Sequence, residues 1–444
     1  MYKSFRVVFT IVFISTILNV YSQDKIKLSL ERAVKLGLET SKTLNSADAK
    51  IKAAQARVEE VSSSGLPSLK LQGAYSRLSP IDEFKISMPD GKGGVTSFSI
   101  APVLLNNTNV RLSLSQPIYT GNRISSTKDA AELLAKASSL DKDKDKFDIT
   151  LNTKSAYWNL QKSLKYKKLT EENINQIQAH LNDLKNLKAQ GFATDNDLLK
   201  VQVQLSEASL RNMDAQNMIM LATVNLNNIM HLPLNTEIEP ETEATASSSR
   251  TTVLNDLIEK AQKSRPEIGA TDYRLQATKA SLEATKGGYF PQIALTGNLL
   301  YANPNQRIFP ARDQFDATWD VGVSFSYDIW NWGTTNHQVT QAEAQITQTQ
   351  DALSQIKEMI SVEITQNFLN ADLAKKKISV SEEGTKQAEE NYRVTNEKFK
   401  NGMALNTDLI DAELAILQAK INLLQSQIDF EIALAKLDKS VGEF

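Results

Sequence analysis

The segment GFATDNDLL, residues 191–199, occurs a second time in similar form as GMALNTDLI at residues 402–410. Each copy places a glycine between two long runs of helix-forming residues. A glycine in that position is typical of a tight turn between antiparallel helices, since glycine adopts positive φ angles without steric cost. The chain is therefore predicted to contain two helical hairpins, with turns at Gly191 and Gly402.

A second pair of similar segments extends the repeat beyond the hairpins. GLPSL at residues 65–69 corresponds to YFPQI at residues 289–293, and the two prolines are 224 residues apart (291 − 67). The glycine turns are 211 residues apart (402 − 191), and the difference falls in a longer loop predicted at residues 79–106. Fixed offsets over most of the chain indicate two structural repeats. The predicted order is a first repeat at residues 23–236, a polar linker at 237–253 and a second repeat at 254–444.

Four short segments alternate apolar and polar residues, as β-strands with one apolar face do. The clearest begins at Trp319, where Val321, Val323 and Phe325 alternate with polar or small residues. Strands of about ten residues with one apolar face and aromatic ends are typical of transmembrane barrels. A soluble sheet covered by protein shows the same alternation. The predicted strands lie at about residues 66–78, 107–118, 290–302 and 317–330.

Four strands cannot close a sheet that spans a membrane, because the open edges would leave unpaired backbone groups in hydrocarbon. Other copies of the chain must supply the missing strands. Two copies would give about eight strands, whose interior is filled by side chains, whereas three would give about twelve and leave a lumen. A conduit therefore favours a homotrimer.

The predicted helices are longer than any globular core. From Asn122 to Gln190 the helical pattern continues for roughly 70 residues, which is on the order of 100 Å at 1.5 Å per residue. Apolar residues with heptad spacing, such as Leu198, Leu205 and Ile219, indicate coiled-coil packing in the hairpins. The predicted fold class is mostly α with membrane β: long hairpins that form a tube, and four transmembrane strands per chain.

Composition excludes several classes of protein. The chain has no cysteine, so disulfides and thiolate metal sites are excluded. Its 50 basic and 52 acidic residues give a net charge of −2, which provides no basic surface for nucleic acid. The three histidines are widely separated, and no catalytic constellation is present. We therefore predict no metal, no cofactor, no nucleic-acid partner and no enzymatic activity.

Residues 1–22 have the layout of a secretory signal peptide, because Lys3 and Arg6 precede an apolar run from Val7 to Leu18. The run is shorter than the roughly 20 apolar residues that a membrane-spanning helix needs. Export is expected, with a mature chain that begins near Gln23.

The doubled plan, the Leu-Pro and Phe-Pro sequences before the strands, and the paired glycine turns resemble the TolC-like outer membrane efflux proteins. The resemblance covers essentially the whole predicted mature chain. It implies a homotrimer in the outer membrane, with a twelve-stranded β-barrel in contact with lipid and an α-helical barrel in the periplasm. It also implies a channel of a tripartite efflux or type I secretion system, coupled through a periplasmic adaptor protein to an inner-membrane pump.

The same resemblance gives the glycine turns a role, since in this family they dock the helical hairpins of the adaptor. A purely structural role, in which glycine permits the turn and an apolar neighbour caps the coiled coil, is compatible with docking. The predicted docking residues are Gly191, Phe192, Ala193, Thr194, Gly402, Met403, Ala404 and Leu405.

Two acidic residues, Asp408 and Asp411, follow the second turn and lie one helical turn apart, so they share a helix face. In a trimer they would form two rings of three carboxylates. The family often has acidic rings at the periplasmic entrance, and we expect these rings to face the lumen and favour cations. The alternative is a solvated helix end in which Asp408 merely suits the helix dipole.

The resemblance is incomplete at the tip. Family members lock the tip with polar side chains where this chain has Phe399 and Ala404, and neither can form such a lock. We expect other contacts to hold the tip closed, such as Asp195 or Asp197 with lysines of neighbouring helices.

Other classes of protein share some of these features. A soluble periplasmic coiled-coil scaffold would have the same helices, with the strands in a small sheet covered by protein. Partition into membranes distinguishes that alternative from a channel. A trimeric surface adhesin would not need paired glycine turns.

Overall fold

The computed structural model describes residues 25–89, 91–100, 102–244 and 253–444. The predicted signal peptide and residues 245–252 of the predicted linker lie outside the described residues. The protein is mostly α-helical. No helix within the described ranges combines the length and the hydropathy needed to cross a membrane.

Eight α-helices contain most of the described residues, and two of them are very long. Helices α3 and α7 each contain 67 residues, which corresponds to about 100 Å. The helices are α1 (Leu30–Thr40), α2 (Lys42–Ser63), α3 (Arg123–Ala189), α4 (Asp195–Ile229), α5 (Leu254–Ser264), α6 (Pro266–Lys286), α7 (Thr334–Lys400) and α8 (Asn406–Val441).

The strands form three sheets. The largest is antiparallel with the order β2-β5-β7-β8, and two smaller sheets pair β1 with β6 and β3 with β4. The strands are β1 (Ile26–Leu28), β2 (Ser68–Arg77), β3 (Lys85–Pro89), β4 (Val95–Ser99), β5 (Asn106–Tyr119), β6 (Ile238–Pro240), β7 (Gln292–Asn303) and β8 (Asp316–Ser326).

Two segments differ from the sequence-based expectation. The predicted linker at 237–253 contains β6, because Ile238 is buried and pairs in parallel with Ile26. The predicted loop at 79–106 contains the hairpin of β3 and β4, in which Ile86 lies opposite Phe98. Proline, glycine and aspartate around these short strands obscured the alternation of apolar and polar residues in the sequence.

The register of the large sheet sorts its side chains by polarity. Leu71 lies opposite Leu112, Leu112 opposite Leu299, and Leu299 opposite Trp319, so one face carries a continuous apolar row. Leu71 is 72% exposed and Trp319 71% exposed within the single chain. The other face is polar. Along it Ser113 donates a hydrogen bond to Asn298 at 2.8 Å, and Asn298 donates to Asp320 at 2.9 Å.

The chain divides into two compact units. The first contains the described residues of Met1–Ser41, Ile149–Ser249 and Asn370–Ala435, and the second contains those of Lys42–Asp148, Arg250–Leu369 and Lys436–Phe444. Each unit includes residues of both predicted repeats, because α3 of the first repeat and α7 of the second repeat each contribute residues to both units.

In the first unit, the four long helices pack side by side. Thr170 of α3 donates a hydrogen bond to Asn212 of α4 at 3.0 Å. The hydroxyls of Ser381 in α7 and Ser426 in α8 are 3.1 Å apart. An apolar cluster of buried side chains fills the bundle near the turns. Its buried members are Ile177, Leu181, Leu184, Val201, Ala208, Phe399 and Leu409.

The second unit is held by the ion pairs of one buried arginine as well as by an apolar core. The side chain of Arg265 is buried, donates to both oxygens of Glu267 at 3.0 Å and donates to Glu363 at 3.1 Å. The same guanidinium donates to the carbonyls of Lys439 and Ser440 near the end of α8. The side chain of Arg265 therefore bonds residues of α6, α7 and α8.

Residues 141–146 of α3 are charged and alternate in sign. All six are only partly exposed. Asp141 pairs with Arg274 of α6, and Lys142 pairs with Asp48 of α2 at 2.5 Å. Lys144 and Lys146 pair instead with Asp148 and Asp143 of α3 itself.

Candidate functional site at the paired glycine turns

Both predicted turns end their first helix in the same way. Gly191 and Gly402 have φ angles of 82° and 72°, which side chains rarely adopt. The N–H of Phe192 bonds the carbonyl of Leu187 at 2.9 Å, and the N–H of Met403 bonds that of Lys398 at 2.8 Å. These are Schellman motifs, in which glycine lets the chain reverse while the last helical carbonyls stay bonded.

The start of the following helix differs between the turns. Thr194 and Asp197 form a capping box before α4, since Asp197 N–H donates to the Thr194 hydroxyl at 3.2 Å and Thr194 N–H donates to the Asp197 carboxylate at 3.1 Å. Hydrogen bonds from Thr194 lower the pKa of Asp197 below its ordinary value, its side-chain hydroxyl having the larger effect. In the second turn Leu405 has no polar side chain, and only its N–H donates to Asp408, at 3.0 Å.

Most of the predicted docking residues are accessible. Phe192 is 80% exposed, Met403 70% and Leu405 69%. Ala193 and Ala404 are half-buried and pack against the apolar cluster of the first unit. A groove of 680 Å³ lies between the turns, lined by residues of both hairpins that include Phe192, Phe399 and Leu405. The groove has both polar and apolar walls, and the exposed apolar side chains lie beside it.

One of the two expected contacts is present, because Asp195 of α4 pairs with Lys188 of the neighbouring helix α3, within one hairpin. The carboxylate of Asp197 serves the capping box, whereas its backbone carbonyl accepts a hydrogen bond from the side chain of Asn406 at 3.2 Å. Asn406 is buried and belongs to the other hairpin. No local pattern in the sequence indicates this role of Asn406, because its partner, Asp197, lies 209 positions away.

The acidic pair lies at the surface of α8. Asp408 and Asp411 are both exposed, whereas Leu409 and Ala412 are buried. Asp408 also accepts the N–H of Leu405 and so stabilises the start of the helix. In the single chain the two carboxylates lie on one accessible face, as ring-forming residues would. The rings themselves stay a prediction.

A second polar contact between the hairpins was also missed. His180 of α3 lies beside Glu413 of α8, with Nδ1 3.3 Å and 3.4 Å from the two carboxylate oxygens. Burial raises the pKa of nearby Tyr392, and the charges of Glu413 and Asp183 raise it further. The sequence carried one indication of this contact, because Glu413 directly follows Ala412 and lies between the buried residues Leu409 and Ile416.

Comparison with known proteins agrees with this geometry. The sequence model of the family described as "Outer membrane efflux protein" matches residues 33–230 and 257–443. Outer membrane protein TolC of Vibrio cholerae is 23% identical over 202 residues, which is 44% of this chain and 45% of the relative. Outer membrane efflux protein BepC of Brucella suis is 23% identical over 180 residues, 40% of this chain and 39% of the relative. Both of these matches span less than half of the relative's length.

Solved structures share the fold over nearly the whole chain. The outer-membrane channel OprN superposes with a TM-score of 0.77 at 16% identity, covering 94% of this chain and 90% of that chain. The Campylobacter jejuni CmeC channel superposes with a TM-score of 0.75 at 17% identity, covering 99% and 94%.

The family match spans both predicted repeats, and it confirms the resemblance noted from the glycine turns and the strand beginnings. It also places the protein in the outer membrane. The chain belongs to the outer membrane efflux protein family.

Proposed function

We propose that three copies of this chain form an outer-membrane channel of a tripartite efflux or type I secretion system. The channel passes substrates from an inner-membrane pump, through the periplasm and the outer membrane, to the exterior. It catalyses no reaction. A periplasmic adaptor protein docks at the two glycine turns and links the channel to the pump.

The observation that carries the proposal is the four-stranded sheet, with its exposed apolar face and its polar opposite face. Its outer strands, β2 and β8, each have one edge without a partner strand among the described residues. An apolar face of this kind suits hydrocarbon, but open edges do not, because backbone groups in lipid need hydrogen-bond partners. Pairing β8 of one copy with β2 of the next satisfies both edges, and three copies give twelve strands.

Exposed heptad lines on two helices support the same assembly. On α4 and α7, apolar side chains recur at spacings of three, four or seven residues and remain exposed in the single chain. These exposed faces of α4 and α7 are available to neighbouring copies. The exposed positions with this spacing are Leu199, Val203, Leu210, Met213, Met220 and Val224 on α4, and Met359, Val362, Leu369, Leu373 and Val380 on α7; Met218 and Leu221 of α4 are exposed outside it.

The internal repeat is part of the proposal. Helices α3 and α7 have the same length, and their first residues are 211 positions apart (334 − 123). That offset equals the one between the glycine turns. Two equivalent hairpins per chain would let three copies build a tube from similar elements.

Lysine substitutions at neighbouring positions of β8 test the membrane location. Val323 lies on the apolar face and Ser324 on the polar face. Val323→Lys should prevent stable insertion, because a lysine facing lipid at the midplane costs about 2–4 kcal/mol in each copy. Ser324→Lys should insert normally and shift the ion preference of the pore toward anions.

Outer-membrane fractionation followed by conductance in planar lipid bilayers measures both results. Equal recovery of the two variants in a soluble periplasmic fraction, with no conductance from the unmodified protein, would favour the coiled-coil scaffold instead.

A further inference from the structure

The hairpin of β3 and β4 has an apolar face that stays exposed in the single chain. Residues at even positions share this face, because side chains alternate along a strand. Ile86 lies opposite Phe98, and Met88 lies opposite Thr96. Met88 is 55% exposed and Phe98 58%, and Phe84, just before the hairpin, is 71% exposed. A continuous exposed apolar patch of this kind marks a contact surface.

The opposite face of the hairpin is mainly polar and bonds within itself. The hydroxyls of Ser87 and Ser97 lie 2.8 Å apart across the two strands. Each strand has only five residues, and an isolated two-stranded hairpin is marginally stable in water at best. Contacts at the apolar face would therefore add most to the stability of this hairpin.

The hairpin lies beyond the end of the large sheet that is far from the helices. Strand β2 follows α2 and β5 precedes α3, so the segment that joins these strands leaves from the other end. The apolar row of β2 ends with the aromatic Tyr75, ten positions before β3 begins at Lys85 (85 − 75). Asp82 and Glu83 lie between them. In the proposed channel the hairpin therefore projects into water outside the membrane, because aromatic strand ends mark the limits of the hydrocarbon.

The loop between β7 and β8, residues 304–315, is the nearest apolar segment of a neighbouring copy. Within one chain, β2 and β8 are three strand spacings apart, roughly 14 Å. When β8 pairs with β2 of the next copy, they are one spacing apart, about 5 Å, and the start of β8 lies beside the end of β2. The base of the loop therefore lies closer to the hairpin segment of the next copy than to that of its own chain.

This loop carries an exposed aromatic side chain that can reach the hairpin. Phe309 is 79% exposed and lies seven positions before β8 (316 − 309). Strand β3 begins eight positions after β2 ends (85 − 77). Segments of these lengths can each extend up to about 25 Å from the sheet. Phe309 of one copy and the hairpin of the next can therefore meet.

Opposite charges lie beside the two apolar surfaces. Glu83 pairs with Lys85 at 3.7 Å, whereas Asp82 forms no ion pair among the residues that the structure describes. In the loop, Arg307 donates to the carbonyl of Trp319 at 2.9 Å and has no carboxylate partner within the same ranges. One acidic and one basic group are therefore free to pair between copies.

We propose that the apolar face of the β3–β4 hairpin is the docking surface for the β7–β8 loop of the next copy, with Phe309 packed against Met88 and Phe98. The three contacts of a trimer fasten the outer mouth of the channel at the seams where β8 meets β2. The inference rests on the proposed function, because only that assembly brings the loop and the hairpin of different copies together.

Photo-crosslinking from position 309 tests the docking. Phe309 is replaced by p-benzoylphenylalanine, which keeps an aromatic ring and bonds to neighbouring groups when it is irradiated. Irradiated outer membranes should give bands at multiples of the chain mass in denaturing gels. Mass spectrometry should find the linked peptide of the second copy within residues 84–98.

Two substitutions on the same strand then separate docking from chance proximity. Phe98→Asp should reduce crosslinking between copies at least about tenfold, because a carboxylate covered by an aromatic ring loses its hydration. Val95→Asp is the matched control. Val95 is 69% exposed and lies on the opposite face, so the same charge there should change crosslinking by less than about twofold.

Two results would overturn the docking. The first is irradiation that links position 309 only to lipid, only to its own chain, or to nothing. The second is an equal loss of crosslinking in Phe98→Asp and Val95→Asp. The mass of each detergent-extracted assembly shows whether it has formed. A trimer that gives either result refutes the docking alone, whereas recovery of the unmodified protein as a monomer or dimer refutes the proposed function.

Discussion

The two glycine turns share a backbone and differ in the residue that begins the next helix. Thr194 and Leu405 occupy equivalent positions, 211 residues apart. Thr194 satisfies the start of α4 with a full capping box, whereas Leu405 leaves α8 with a one-sided cap and exposes its side chain. The first turn has the stronger helix cap. The second turn has a weaker cap but one more exposed apolar side chain. We infer that the second turn provides more of the docking energy.

The largest expected effect of this difference is on docking. Leu405→Asp should weaken adaptor binding by about 30-fold or more, because truncated hot-spot residues typically cost at least 2 kcal/mol. Thr194→Asp should change binding by less than about threefold, since aspartate also caps helices well. The amount of adaptor that co-purifies with the channel from native membranes measures both. Equal losses for the two variants would contradict the asymmetry.

A smaller effect is expected on local stability. Thr194→Ala should destabilise the start of α4 by about 1 kcal/mol, and Leu405→Thr should stabilise the start of α8 by a similar amount by completing its capping box with Asp408. Hydrogen exchange at the amides of Asp197 and Asp408 should change about fivefold in opposite directions. Unchanged protection at Asp408 in Leu405→Thr would show that the second turn lacks the geometry for a full cap.

The smallest effect is a dependence on pH at the first turn. The pKa of Asp197 is lowered in the folded protein, mainly by the hydroxyl of Thr194. Its contribution is therefore complete above the unfolded value of about 3.9 and is lost as the pH falls through the lower folded value. Amide protection at Asp197 should decrease in that range, and Asp197→Asn should remove the pH step. A step of equal size in Asp197→Asn would assign it to another group.

Local sequence signals were enough to locate the turns and the sheet. Gly191 and Gly402 each stand between long helical patterns, and the four strands of the large sheet lie within a few residues of the alternating segments. These features follow from periodicity and from the φ preference of glycine, which act over a few residues.

Contacts between distant segments could not be predicted in the same way. The pairing of Ile26 with Ile238, the bond from Asn406 to Asp197 and the contact of His180 with Glu413 each join residues more than 200 positions apart. No local pattern marks them, because each depends on the register between elements. The exception is Glu413, whose charge within a buried apolar line is unusual enough to attract notice.

Two further copies in the outer membrane should complete the open sheet edges and the exposed heptad lines. The most direct test is the mass of the protein extracted with detergent from isolated outer membranes, corrected for bound detergent. The account predicts three times the mass of one mature chain. Recovery as a monomer or dimer from the soluble periplasmic fraction would contradict it.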